Sequence, residues 1–98
     1  MSLCYEVAIF DVAESNIARV IEVSLLLFKE INADTELILD YKILQKTNAA
    51  EQLCWQLTWR DQEAVKFVAE RWSSYPSTPA LEALVGEKHY YGHFSSLI

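Results

Sequence analysis

Apolar and polar positions alternate along the chain in a way that predicts four strands. The first strand, Cys4–Val12, is apolar on both parities, whereas Glu36–Lys46 and Gln52–Trp59 alternate with period two. The polar turn Thr47–Glu51 between these two is short enough for a hairpin. A closing aromatic strand is predicted over Lys88–Leu97.

Helical spacing accounts for the segments between the strands. Residues Asn16–Ile31 repeat apolar positions at i, i+3 and i+4, which predicts a helix with one buried stripe. Asp61-Gln62-Glu63 places carboxylates at the start of a second helix, where the helix dipole favours them. That helix is expected to bury its apolar side as far as Trp72, and the loop Ser73–Ser77 follows it. Thr78-Pro79 then opens a short helix over Ala80–Val85.

The predicted order β-α-β-β-α-(α)-β indicates a single α+β domain over residues 1–98. Two β-α-β units in succession are typical of the ferredoxin-like β-α-β-β-α-β arrangement. Its antiparallel sheet has the order 4-1-3-2, and both main helices cover one face. We therefore expect one face of the sheet to be packed and the other to be uncovered by helices.

Strand parity indicates which side chains lie on each face. Pairing around the turn brings Ile43 opposite Trp55 and Tyr41 opposite Leu57. The helix-covered face is expected to carry Leu37, Leu39, Tyr41, Ile43, Leu53, Trp55, Leu57 and Trp59, continued by Tyr5, Val7 and Ile9. The opposite face then holds Ala8, Phe10, Ile38, Leu44 and Cys54, mixed with Glu6, Asp40, Lys42, Gln56 and Thr58. Since that mixture is too apolar to remain bare, we expect a homodimer whose two sheets face each other as a dimeric α+β barrel.

Charge and cysteine content exclude several classes of partner. The formal net charge is −6, and the eight basic residues are scattered, which opposes binding to nucleic acid. No apolar run approaches the 18 residues of a membrane span, so we expect no membrane partner. We expect a cytoplasmic location. Cys4 and Cys54 are 50 positions apart, without the spacing of a metal site, and lie too far apart in the predicted sheet for a disulfide.

The chain resembles the antibiotic-biosynthesis-monooxygenase-like family of the dimeric α+β barrel superfamily. The resemblance rests on Leu57-Thr58-Trp59-Arg60, which leads into Asp61-Gln62-Glu63-Ala64 and then Phe67 or Val68. The short helix Pro79-Ala80-Leu81 and the closing strand Tyr90-Tyr91-Gly92-His93-Phe94 also match the family pattern. In element order the resemblance covers nearly the whole chain.

This resemblance implies oxidation chemistry without a cofactor. Some family members oxygenate electron-rich aromatic polyketides or quinols with dioxygen and without metal, flavin or haem. Related haem-degrading members use an Asn in the first strand, a Trp, and a His ligand on a later helix. Here the first strand has no Asn, the position matching the Trp is near Val68, and Ala80–Val85 has no His. We therefore expect no cofactor and no metal.

Two groups of residues are candidates for the site. His89 and His93 share a parity with Tyr91 and are candidate general bases, although along a strand they stand about 13 Å apart, too far to share a metal. Tyr41, Trp55, Trp59 and Trp72 are candidates for the wall of a pocket that binds a flat aromatic ligand. For both groups the alternative is structural: hydrogen-bonded strand histidines and plain aromatic core.

Two functions follow from these candidates, and the sequence leaves the choice open. The first is a cofactor-independent monooxygenase that acts on a small aromatic or quinol-type substrate, with His89 or His93 as the base. The second is a non-catalytic dimer that binds a small ligand or serves in assembly. Haem degradation is a weaker alternative, because the sequence lacks its residues.

Overall fold

The computed structural model describes residues 2–98 and contains the predicted elements in the predicted order. The four strands are β1 (Cys4–Asp11), β2 (Ile38–Lys46), β3 (Ala49–Trp59) and β4 (Lys88–Phe94). The three helices are α1 (Ile17–Ile31), α2 (Gln62–Glu70) and α3 (Thr78–Leu84). Short 3-10 turns at Glu14–Asn16 and Trp72–Ser74 precede α1 and follow α2.

Polar side chains set the helix ends that the sequence predicts. At the end of α1, Asn32 Oδ1 accepts hydrogen bonds from the backbone N–H groups of Leu37 (3.0 Å) and Ile38 (2.9 Å), which ties the helix to the entry of β2. At the start of α2, Asp61 Oδ1 accepts from the Ala64 N–H at 2.8 Å, as expected of an N-cap carboxylate.

The sheet is antiparallel with the order β2-β3-β1-β4, which confirms the predicted ferredoxin-like topology. The predicted hairpin register is also confirmed, since Tyr41 pairs with Leu57 and Ile43 with Trp55. Its turn is tighter than predicted: β3 begins at Ala49, so only two residues connect the strands. The core lies between this sheet and the helices, with Trp55 only 6% exposed.

The predicted parity of β1 is wrong. Cys4 pairs with Trp59 and Ala8 with Trp55, so Cys4, Glu6, Ala8 and Phe10 lie on the helix-covered face. Tyr5, Val7 and Ile9 consequently lie on the opposite face, where Tyr5 is exposed. The physical reason is that β1 is apolar on both parities, so only its pairing with β3 decides which side is buried.

Other element boundaries differ from the prediction where the chain leaves regular geometry. A β-bulge between Ile38 and Asp40 buries Ile38 and leaves Leu39 exposed, the reverse of the predicted assignment. The second helix ends before Trp72, which instead lies in a 3-10 turn. Strand β4 ends at Phe94 rather than at Leu97.

Within the described residues, 2–98, no helix covers the second face of the sheet, which we call the open face. Its exposed large apolar side chains are Tyr5, Leu44, Tyr90 and Phe94, and Val7, Ile9 and Cys54 are half-buried among them. The rings of Tyr90 and Phe94 stack with centroids 6.3 Å apart. Gly92 lies between them and leaves room for the Tyr90 ring, since a Cβ there would be only 2.6 Å from its hydroxyl.

Two further expectations concern cysteines and membranes. Within residues 2–98 both thiols are free, because Cys4 pairs with Trp59 in the sheet whereas Cys54 pairs with Ile9, five positions along β1. In the same residues no helix is both long and apolar enough to cross a bilayer.

Candidate functional site

A cavity of about 420 Å³ lies between the sheet and the helices. This volume falls within the roughly 300–1,000 Å³ typical of small-molecule sites. Its walls are mainly apolar and come from several elements: Phe28 of α1, Trp55 and Trp59 of β3, Val68 of α2, and Trp72. The cavity therefore presents flat aromatic surface from three tryptophans to one shared space.

The aromatic packing around Trp55 determines which predicted wall residues reach this cavity. Phe10 meets the Trp55 ring edge-on at 5.8 Å between centroids, and Phe28 does so at 5.0 Å. Tyr41 packs on Phe28, also at 5.0 Å, but is itself 46% exposed and does not line the cavity. Of the four aromatic candidates, Trp55, Trp59 and Trp72 thus come together, and Tyr41 lies outside.

Three hydrogen-bonded side chains line the solvent side of the cavity. Glu82 of α3 accepts a hydrogen bond from Trp72 Nε1 at 3.3 Å and one from Lys88 Nζ at 3.2 Å. All three side chains line the cavity, and the Glu82 and Lys88 side chains are 43% and 61% exposed. This end of the cavity is consequently its mouth.

The buried end of the cavity contains the carboxylate of Glu6. This side chain is only 5% exposed, although it belongs to a charged residue. Its Oε1 accepts a hydrogen bond from Trp59 Nε1 at 3.0 Å and lies 3.1 Å from His93 Nε2. The other oxygen, Oε2, accepts no hydrogen bond from residues 2–98. It is not fully enclosed either, so it remains accessible from the cavity side or from solvent.

Burial dominates the electrostatics of this carboxylate. It raises the pKa of Glu6 above its ordinary value, and the Trp59 hydrogen bond and the nearby His93 oppose that rise without cancelling it. Burial and the Glu6 carboxylate also raise the pKa of the Cys4 thiol, which keeps it a weak nucleophile.

Tyr91 completes the cluster from β4. Its hydroxyl lies 3.5 Å from His93 Nε2, and its ring meets the His93 ring edge-on at 5.0 Å. Partial burial and, second, the Glu6 carboxylate raise the pKa of Tyr91 to about 12. The phenol therefore stays protonated at neutral pH and is able to donate a hydrogen bond.

The two candidate histidines do not act on the same space. His93 contacts Glu6 and does not itself line the cavity. His89 lies elsewhere: its Nε2 is 2.9 Å from Asp11 Oδ1, and its Nδ1 is 3.4 Å from Glu87 Oε2. A bulge in β4 pairs Tyr90 with Ile9 and Lys88 with Phe10, so that His89 falls out of the regular alternation. The predicted common parity of the histidines with Tyr91 therefore gives no common site.

Glu6 is the functional candidate that sequence reasoning missed, because the wrong parity of β1 assigned it to the open face. One signal was available: Glu6 is the only charged residue between Cys4 and Phe10 in a strand that is otherwise apolar. A charge in such a strand is either at an exposed edge or buried with partners. The partners come from strands β3 and β4 on either side, so the sequence alone did not name them.

The site does not fit the residues of a metal or haem centre. Among residues 2–98 there is no group of three or more His, Cys, Asp or Glu side chains arranged to hold a metal ion. Both histidines of the chain, His89 and His93, lie on β4.

Comparison with solved structures shows the same fold in oxygenase-like proteins. A putative antibiotic biosynthesis monooxygenase from Caulobacter crescentus matches at a TM-score of 0.74 and 15% identity, covering 99% of this chain and 92% of that one. SnoaB, a cofactor-independent oxygenase from Streptomyces nogalater, matches at 0.73 and 17% identity over 98% and 94%. A conserved protein from Methanosarcina mazei matches at 0.73 and 18% identity over 96% and 92%.

These matches confirm at the level of fold the resemblance seen in the sequence: the chain has the fold of antibiotic-biosynthesis-monooxygenase-like proteins. No protein-family model matches the chain, and no curated protein matches its sequence. The identities are too low to carry over individual site residues.

Proposed function

We propose that the chain is a cofactor-independent monooxygenase that acts on a small aromatic, quinol-type substrate. The observation that carries the proposal is an apolar cavity whose buried end holds one carboxylate paired with a histidine, Glu6 with His93. The presence of a cofactor-independent oxygenase among proteins of the same fold supports it.

The cavity suits a flat ring. Trp55, Trp59 and Trp72 offer aromatic faces, and stacking against such faces favours planar ligands. In addition, the Trp55 Nε1 proton is enclosed and unpaired within residues 2–98, and a hydroxyl oxygen of a quinol would offer it an acceptor.

In this reaction the protein has two roles: it removes a proton from the substrate and keeps water away from it. Deprotonation makes the substrate electron-rich enough to transfer electrons to dioxygen. For an anthrone, the ring methylene becomes a carbonyl with one oxygen atom, and the second oxygen atom leaves as water with the two methylene hydrogens. The substrate thus supplies all four electrons, and the Glu6–His93 pair supplies the proton acceptor.

Oxygen uptake with a panel of anthrones and quinols tests this function. We expect uptake that depends on substrate and is unchanged by a metal chelator, and we expect His93→Asn to slow it while His89→Asn does not. The two variants are matched, since both histidines lie on β4 beside a carboxylate of β1. Absence of uptake across the panel would contradict the proposal.

We further propose that the protein is a homodimer whose open faces pack together. Large apolar side chains remain exposed there, with Tyr5, Tyr90 and Phe94 at 37%, 45% and 49%. A contiguous apolar patch of this kind is typical of an interface. Two copies of one face are self-complementary about a two-fold axis, which favours a closed dimer.

Sedimentation equilibrium tests the dimer. The expected mass is twice the 11.3 kDa of one chain, and Phe94→Glu should shift the protein toward monomer. Phe67→Glu is the control, because Phe67 is exposed to a similar degree, 45%, but on α2. A monomer at micromolar concentration, with both variants indistinguishable from it, would contradict the proposal.

The second candidate is a non-catalytic dimer that binds a small aromatic ligand in the same cavity. The apolar open face favours it, since that face serves assembly and needs no reaction. Calorimetric binding of a quinol without oxygen uptake would support this candidate over the oxygenase.

We also propose a cytoplasmic location. Both cysteines are free thiols within the described residues, which is typical of a reducing compartment. Thiol trapping in intact cells should therefore label Cys4 and Cys54 after denaturation, and recovery of an oxidised form would contradict the location.

A further inference from the structure

We propose that Glu6, not a histidine, is the proton acceptor of the cavity, and that it selects ligands with an acidic hydroxyl such as a phenol or enol. The proposal deepens the proposed function, because it rests on the same cavity. It assigns His93 the role of a positioning residue that acts through Glu6.

The division of roles follows from which side chains reach the cavity. Glu6 lines it, whereas His93 does not and is in contact with Oε1 of Glu6. Because Oε1 already accepts from Trp59 and faces His93, Oε2 is the oxygen left for a ligand. A hydroxyl that donates to a carboxylate forms a charge-assisted hydrogen bond, about twice as strong as a neutral one.

The surroundings of Glu6 supply no competing cation from the helices. The titratable groups that face it are His93 and Tyr91 of β4 and the Cys4 thiol of its own strand. The other charged groups of the cavity wall, Glu82 and Lys88, are paired with each other at the mouth. A ligand hydroxyl is thus the natural donor for Oε2.

The transfer itself is simple and balanced. The O–H bond of the ligand breaks, its proton goes to Glu6 Oε2, and the electron pair stays on the ligand oxygen. Burial, which raises the pKa of the Glu6 carboxyl, brings its basicity closer to that of an acidic hydroxyl. His93 opposes that rise and so sets the pH at which the carboxylate is ready to accept.

Isothermal titration calorimetry with 2-naphthol and its methyl ether, 2-methoxynaphthalene, tests the assignment. The two probes share a ring system, but only the naphthol donates a hydrogen bond. The wild-type protein should bind the naphthol about tenfold more tightly or better. Glu6→Gln should reduce the preference to about threefold or less, because a neutral amide is a weaker acceptor. Asp11→Asn, the other carboxylate at the β1–β4 boundary, should leave it unchanged.

A pH series adds a readout that a purely structural role would not move. The preference for the naphthol should fall as the pH drops through the pKa of Glu6. His93→Asn should move that midpoint to higher pH, because His93 lowers the pKa of Glu6. His89→Asn should leave the midpoint in place, since its partner is Asp11.

The outcomes separate this proposal from the proposed function. Equal affinity of the wild type for both probes overturns the role of Glu6 while the cavity stands, and failure to bind either probe overturns both. If the wild type prefers the naphthol, Glu6→Gln loses that preference and no oxygen is consumed, the role of Glu6 is supported and the oxygenase is overturned. If Glu6→Gln fails to fold, as circular dichroism would reveal, the wild-type probe pair and pH series still decide.

Discussion

Strands β1 and β4 are connected by two carboxylate–histidine pairs that differ in their surroundings rather than in their chemistry. Glu6 lies 3.1 Å from His93, and Asp11 lies 2.9 Å from His89. The Glu6 side chain is 5% exposed and has a second partner, Trp59, whereas the Asp11 side chain is 41% exposed. Of these four residues only Glu6 lines the cavity.

The comparison teaches that contact distance alone does not identify a functional pair. Water screens the exposed pair, so its interaction contributes little to stability. In the buried pair the lower dielectric strengthens every interaction and penalises the charged form. Four predictions test whether burial is indeed what distinguishes Glu6–His93 from Asp11–His89.

The largest expected effect comes from removing the aromatic partner of the buried pair. Trp59→Ala should lower the free energy of unfolding by about 3–5 kcal/mol, because it opens a core cavity and takes a donor from Glu6. Trp72→Ala is the control, since Trp72 is only half-buried. Urea unfolding measures both, and equal losses would show that Trp59 does not support the pair specifically.

The next effect concerns activity. Glu6→Gln should lower kcat for oxygen consumption by about a hundredfold or more, as expected when a general base is lost. Asp11→Asn should stay within about twofold of the wild type, since it lies outside the cavity. Steady-state oxygen uptake measures both rates, and similar losses in the two variants would remove the distinction between the pairs.

A smaller effect is the dependence of stability on pH. Because the pKa of Glu6 is raised on folding from its ordinary value of 4.5, the unfolded chain releases this proton first. Below pH 4.5 both the folded and the unfolded chain hold this proton, so Glu6 adds no pH dependence there. As the pH rises above 4.5 the free energy of unfolding falls, until Glu6 also ionises in the folded protein. Glu6→Gln should therefore lose less stability than the wild type as the pH rises through this window.

Urea unfolding at a series of pH values measures that difference, and Asp11→Asn serves as its control. The Asp11 variant should keep the wild-type slope, because Glu6 remains in place. A Glu6→Gln curve parallel to that of the wild type throughout the window would contradict the buried character of Glu6.

The smallest expected effect is that of Tyr91→Phe, which should change the free energy of unfolding by no more than about 0.5 kcal/mol. Its use is spectroscopic: the difference between the wild-type and variant ultraviolet titrations isolates one phenol. That phenol should ionise with a pKa of about 12. A midpoint near the ordinary value of 10.0 would contradict first the partial burial of the Tyr91 hydroxyl and second its proximity to Glu6.

The fold could be predicted where the large apolar residues of a strand occupy only every second position. The alternation of Leu53, Trp55, Leu57 and Trp59 predicted the buried face of β3, and the polar turn predicted over Thr47–Glu51 gave the correct register with β2. Strand β1 offered no such alternation, so its face could not be predicted and was assigned wrongly. Bulges in β2 and β4 likewise changed the outward direction of Leu39 and His89 without a signal in the residue pattern.

The candidate site was predictable only in part for the same reason. Three of its tryptophans could be named, because large aromatics at strand and helix spacing must be buried somewhere. Pairing Glu6 with His93 requires two residues 87 positions apart, and their contact depends on which strand lies beside β1.

The sequence by itself determined the elements, their order and the sheet topology, because these depend on local periodicity. Only the tertiary structure decided that Glu6 is buried and Asp11 exposed. Both are carboxylates on one strand, and the difference arises from the register of β1 against β3 and β4, which turns even positions toward the helices and odd positions toward the open face.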